Sequence, residues 1–338
     1  MRILVLHAWL KGNLGDVLQL SPLLSVLREM RPRTLDLAGY PARPAPETTE
    51  LLRLADRYLP DTFPWYWGGS PAAAGRLLFE PWWSRRRRRL FARYDAIVCA
   101  PGPYLAEYDL RAASALCDIT VARELGKPVV LSSHSIGPLR ASGLAAVAGA
   151  TLRVARESTT YQYLAAHAIP AVASADLAFL YPYPAAAPVR APRYRLVFLR
   201  GNNLDARLLR IEGRALFEGP RLLVPPSAEP IVLATSDSRR DERFLSRVSR
   251  RLGARFAPCR SVSELVDLVA GSSSVVSDRY HPAICAAVLG KPARVLPNRE
   301  PHKMRGLTAL LGDGSIEDLQ ALARTGLRAV CDAVREHV

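Results

Sequence analysis

The chain has 338 residues, of which 49% are hydrophobic and 23% charged, with a formal net charge of +15. That length supplies about two domains of ordinary size, and the composition excludes bulk disorder. The absence of a long apolar run excludes a membrane-spanning helix, and the charge favours an anionic partner: nucleic acid, an acidic membrane or a phosphorylated substrate.

The start, MRILVLHAWL, is too short for a secretory signal and runs into a GNLGD turn rather than a cleavage site. It reads as a buried first strand over 2–7, and the protein as cytoplasmic. A helix is predicted over about 15–30, then strands at 34–39 and 96–100, a helix near 108–126 and a strand at 129–133. Beyond Gly137-Pro138 come a helix, a strand near 151–155, a helix near 157–167 and a strand near 170–173. Residues 181–192, YPYPAAAPVRAP, have no periodicity and read as a linker. Strands then resume at 196–199, 231–234, 255–257, 275–277 and 293–296 with helices between them, and a last helix covers 316–335.

Strands alternating with helices imply parallel sheets covered on both faces. Two such runs around a linker predict an α/β protein of two doubly wound, Rossmann-like domains with a glycosyltransferase-B-like layout. The expected parts are an acceptor-side domain at 1–180, a linker at 181–193, a donor-side domain at 194–315 and a terminal helix at 316–338. The active site then belongs in the cleft between the domains, at the carboxyl ends of the strands.

Five cysteines without CxxC spacing read as free buried thiols, and no HExxH or Cys/His cluster occurs, so no resident metal is expected. Only four of the 46 basic residues are lysines: Lys11, Lys127, Lys291 and Lys303. Lys127 and Lys291 lie in two Gly-Lys-Pro turns where helices end. Lys11 and Lys303 are left as the interesting pair.

Six segments could carry chemistry. Lys11–Asp16 (KGNLGD) falls between the first strand and helix; Asn13 and Asp16 either hydrogen-bond a ligand or cap the helix. Pro101–Tyr104 and Ser132–Pro138 end two further strands, the latter carrying His134. Arg156-Glu157-Ser158 puts an arginine at a strand end beside a helix start, a good place for a carboxylate or phosphate. Ser277–Pro282 (SDRYHP) brings Arg279 and His281 to another helix start, and Lys303 follows the next strand. Phe63–Trp67, Pro81–Trp83 and Arg85–Arg89 form an aromatic and basic stretch, either a partly buried subdomain with a solvated arginine face or a surface for membrane or lipid-linked substrate.

The order GNLGD, PGPY, SIGP, ARES, SADLAF, SDRYH, GKP and HKM resembles the polysaccharide pyruvyltransferase family over residues 1–310. The resemblance implies phosphoenolpyruvate as co-substrate, no other cofactor, and a sugar, glycoside or lipid-linked saccharide as acceptor of a pyruvate ketal, with no nucleic-acid partner. By matching position it implies that Arg156, Arg279, His281 and Lys303 belong to the donor site. Ketal formation needs a general acid that reloads near neutral pH, so His281 is the expected catalytic acid, and Asp16 is the expected catalytic base at the acceptor hydroxyl. Asn13, Gly15, Tyr104 and His134 would face the acceptor. His134 stands where the family carries glutamine or another polar residue, Pro101-Gly102-Pro103 breaks the usual glycine pair, and Tyr280 replaces a more common leucine. Two other readings remain: a nucleotide-sugar glycosyltransferase of the same fold, and a non-enzymatic protein that binds polyanions through Arg85–Arg89.

Overall fold

The computed structural model describes residues 1–41, 43–60, 84–107, 111–184, 194–201, 208–213, 215–226, 228–298 and 301–338. The aromatic clusters Phe63–Trp67 and Pro81–Trp83, and most of the 181–192 stretch, lie outside these residues.

The first sheet contains β1 (Arg2–Trp9), β2 (Thr34–Tyr40), β3 (Arg57–Pro60), β4 (Ala96–Cys99), β5 (Gly102–Leu105), β6 (Val129–Ile136), β7 (Leu152–Ala155) and β8 (Val172–Ala173). Its order is β3-β2-β1-β4-β6-β7-β8, with β5 also on β6 and every pairing parallel. The helices α1 (Leu14–Glu29), α2 (Thr49–Leu52), α3 (Ala112–Glu124), α4 (Ala141–Ala148) and α5 (Ser158–Ala166) connect these strands. β4, most of β1 and the first half of β6 are apolar because they lie inside a sheet covered on both faces.

The second sheet contains β9 (Tyr194–Phe198), β13 (Ile231–Thr235), β14 (Arg255–Pro258), β15 (Ser272–Ser277) and β16 (Ala293–Val295), in the order β14-β13-β9-β15-β16 and again all parallel. Its helices are α6 (Ser238–Leu252), α7 (Val262–Ala270), α8 (Tyr280–Val288) and α9 (Pro301–Asp313). A separate antiparallel sheet of β10 (Leu209–Glu212), β11 (Ala215–Glu218) and β12 (Arg221–Val224) is inserted after β9. The two doubly wound sheets match the sequence reading; this meander, β3 and β5 are additions to it.

Both Gly-Lys-Pro turns end helices as expected. Gly126 and Gly290 take φ of 66°, and the amides of Lys127 and Lys291 donate back to Ala122 and Ala286. The last helix, α10 (Ile316–Glu336), starts from a Ser315/Asp318 capping box and packs on the first sheet. Gln320 donates to the Phe179 carbonyl, and a Cβ on Gly326 would come within 2.2 Å of Ser174 Oγ. One continuous apolar core therefore includes Ile3, Val5, Leu23, Phe198, Ile284, Leu327 and Val334, from both sheets and from α10.

Candidate active site

The GNLGD segment interlocks with the second half of the chain. Leu14 donates its amide to the Ser236 carbonyl at 2.8 Å, and Asn13 forms a bridge with Asp237. Asn13 caps α1 by accepting from the Gly15 amide, and its side-chain amide donates to Asp16. Gly15 lies under the His281 ring, where a Cβ would stand 2.0 Å from Nδ1. Two predicted site residues from opposite ends of the chain are thus in van der Waals contact, and only glycine leaves room for it.

Arg156 is fully buried at the end of β7. Its Nη1 donates to Asp176 Oδ2 at 2.8 Å and to Gln19 Oε1 at 3.2 Å, and its Nε donates to Ser135 Oγ at 2.7 Å. Among the described residues its Nη2 has no hydrogen-bond partner. The Tyr280 ring centroid lies 4.5 Å from the guanidinium carbon and 5.3 Å from Lys303 Nζ, so one aromatic ring serves two cations. His281 Nε2 is 3.8 Å from Asp176 Oδ2, within ion-pair range and beyond a hydrogen bond. Burial alone would raise Asp176; His281 and Arg156 outweigh it and hold the carboxyl well below its usual range. Burial lowers His281, with Asp176 opposing the shift.

A polar chain leads from this cluster to a pocket. Gln19 donates to Asp16 Oδ1 at 3.2 Å. Asp16 and Gln19 line a small pocket, with room for about one water molecule in its present form, together with His7, Trp9, Tyr104 and Arg111. Burial pushes Asp16 up to about 7, against the opposing charge of Arg111 and the hydrogen bond from Asn13. The group is therefore able to exchange a proton near neutral pH.

The other predicted residues fall in distinct places. Tyr104 lines the pocket and donates its hydroxyl proton to the Ala100 carbonyl at 2.7 Å. His134 is fully buried behind it, and its Nε2 donates to the Tyr104 oxygen at 2.8 Å. His134 thus positions Tyr104 rather than meeting the pocket itself. Arg279 is turned away from Arg156: its guanidinium pairs with Asp241 and lies 3.8 Å from Asp237. Lys11 is exposed beside the stacked Trp9 and Tyr40 rings, 5.9 and 5.6 Å from their centroids.

Three residues here lay outside the sequence reading. Asp176, within the SADLAF segment, ties Arg156 to His281. Gln19 joins Arg156 to Asp16. His7 sits in the left-handed region at φ 64°, where β1 shifts register against β2. Its Nε2 is 3.5 Å from buried Asp118, which Arg87 holds at 2.8 Å. A histidine at positive φ in a strand is uncommon, and it occurs here at the pocket wall. Among the described residues no group of three His, Cys, Asp or Glu side chains is arranged to hold a metal.

Two Rossmann-like sheets meeting at strand ends, with the polar cluster between them, define a protein of the glycosyltransferase-B fold type. Solved structures of similar architecture include a putative UDP-N-acetylglucosamine 2-epimerase from Listeria monocytogenes, with TM-score 0.62 and 11% identity over 100% of this chain and 96% of that one. The UDP-GlcNAc 2-epimerase of Methanocaldococcus jannaschii, in complex with UDP-GlcNAc and UDP, gives 0.60 and 13% over 98% of each chain. That of Neisseria meningitidis, bound to UDP-GlcNAc, gives 0.54 and 11% over 99% and 100%. At these identities the likeness concerns the fold. No curated protein matches the sequence. The profile of the polysaccharide pyruvyl transferase family matches residues 13–300, and the chain belongs to that family of transferases.

Proposed function

We propose that this protein transfers a pyruvyl group from phosphoenolpyruvate to two hydroxyls of a sugar, as a cyclic ketal, in the synthesis of a cell-surface polysaccharide or glycoconjugate. The observation that carries the reading is the gathering of Arg156, His281 and Lys303 around Tyr280, one hydrogen-bonded link through Gln19 from Asp16 in the pocket. Phosphoenolpyruvate bears a carboxylate and a phosphate on one carbon. A rigid guanidinium beside a flexible ammonium complements two such anions.

The reaction adds a proton to C3 of the donor and leaves C2 electron-poor. A sugar hydroxyl attacks C2, the C–O bond to phosphate breaks, and the neighbouring hydroxyl closes the ring. Two hydroxyl protons are released overall, balanced by one gained at C3 and one carried off by phosphate. His281 is the proton donor to C3. Burial keeps it neutral in the free protein, and a bound anion beside it favours its protonated form. Arg156 and Lys303 stabilise charge on the departing phosphate. Asp16 takes the proton of the attacking hydroxyl, and Asn13 fixes the carboxylate. Tyr104, held by His134, orients the acceptor. Arg279 serves this site through α8, by anchoring its start to Asp241 and Asp237. The reaction is redox-neutral and calls for no cofactor besides its donor. The protein works in the cytoplasm at the inner face of the membrane, on a free or lipid-linked saccharide.

Thermal stabilisation by phosphoenolpyruvate, beside UDP and inorganic phosphate, tests the donor. A ligand at a hundred times its Kd stabilises by about 2.7 kcal/mol. The expected result is a rise with phosphoenolpyruvate that is lost in Lys303→Gln and His281→Gln. A rise with UDP and none with phosphoenolpyruvate would replace this reading with a nucleotide-sugar enzyme.

A further inference from the structure

The arginine run Arg85–Arg89 is not one solvated face. It lies on a helical stretch at 84–91 whose rotation is set by two acidic residues of α3. Arg87 is buried, with Nε 2.8 Å from Asp118, and Arg88 pairs with Glu124. That pinning turns Arg85 and Arg89, one helical turn apart, outward, and Arg93 follows four residues later. All three are exposed, and none has an acidic partner among the described residues. They border a groove whose wall includes Leu59, Pro60 and Leu90. Leu59 and Pro60 close β3 at the strand-end edge that carries the pocket, and the groove runs from there past Ala38 to Arg93, which precedes β4. The two are separated by one layer of side chains, because Asp118, which holds Arg87, also lies 3.5 Å from His7 in the pocket wall.

We propose that this face docks on an anionic lipid bilayer. Three exposed guanidiniums match headgroup phosphates, which they can bind in bidentate fashion. The aliphatic side chains of Leu59 and Leu90 between them suit the acyl boundary. The arrangement would hold the pocket where a lipid-linked saccharide is presented. That last consequence rests on the transferase reading, and the docking itself does not.

Co-sedimentation with vesicles of phosphatidylcholine, alone or with about 30% phosphatidylglycerol, tests the proposal at a salt concentration where the Debye length is about 10 Å. The protein should bind only the anionic vesicles. The triple variant Arg85→Gln/Arg89→Gln/Arg93→Gln should bind about 100-fold more weakly, from the usual contribution of each basic residue at such a surface. A matched variant, Arg243→Gln/Arg247→Gln/Arg250→Gln, removes the same charge from three exposed positions of α6 and should keep most of the binding. Three results would overturn the proposal: no wild-type binding to anionic vesicles, equal loss in both triple variants, or binding to single-stranded RNA with none to vesicles. Since no donor or acceptor is present, failure here leaves the phosphoenolpyruvate result standing.

Discussion

Gly15→Ala isolates the contact that joins the two halves of the site. The new Cβ would meet His281 Nδ1 at 2.0 Å, Cγ at 2.7 Å and Cε1 at 2.9 Å. Restoring ordinary contact moves the ring by roughly 1.4 Å. The ring belongs to the first turn of α8, which is buried, so it is not a flexible tip that swings aside. Overpacking of this kind costs about 1–3 kcal/mol, and alanine in α1 recovers at most about 1 kcal/mol of helix propensity. A displacement near 1 Å at a reacting group lowers turnover by about 100-fold. Urea unfolding and phosphoenolpyruvate binding by calorimetry should both show the loss. The decisive comparison is a double-mutant cycle with His281→Ala, where the ring atoms are gone. In that background Gly15→Ala should be neutral or slightly stabilising. An equal cost in both backgrounds would refute the reasoning.

Two further outcomes concern buried charge. Arg156→Met leaves the Asp176 and Glu157 carboxylates buried without their guanidinium and should cost about 3–5 kcal/mol in urea unfolding. In the wild type Asp176 is depressed, so its stabilisation is present above its unfolded value and fades as pH falls below it. In the variant the lowering from His281 stays and that from Arg156 is gone, so Asp176 is less depressed and the gap to wild type narrows as pH falls. His134→Gln bears on the acid limb of stability. Burial, with Arg156 adding to it, pushes His134 down to about 3, so between about pH 6 and 3 only the unfolded chain binds this proton. Wild type should therefore lose about 1.4 kcal/mol per pH unit more steeply than the variant over that window, as measured by urea midpoints.

Local signals made much of this legible in the sequence. The apolar runs of β1, β4 and β6 and the Gly-Lys-Pro helix ends are patterns of neighbouring residues, and they place strand ends and helix starts well. Segments at strand ends could therefore be read as candidates, and Arg156, His281 and Lys303 come together as a set. Contacts between distant segments leave no such trace. Nothing near Arg279 announces that Asp237 and Asp241 will take up its charge. His7 sits in an apolar strand and shows its character only through its backbone. Two missed features did carry a signal. Asp118 in the apolar stretch of α3 asks for a buried partner, which Arg87 supplies. The repeated Glu-Gly in IEGRALFEGP marks the two turns of the antiparallel sheet, where Gly213 and Gly219 take positive φ.

The position of α10 has a consequence for how the protein is made. The first sheet's apolar face is completed by Leu319, Ala323, Leu327, Val330 and Val334, all of them synthesised after the whole of the second sheet. The N-terminal half, although synthesised first, waits through translation of the entire second sheet for the helix that covers it. During that interval its exposed face is a target for chaperones or for a neighbouring nascent chain. The chain then crosses between the halves twice, before β9 and again before α10, so a double tether, and not a single linker, joins them.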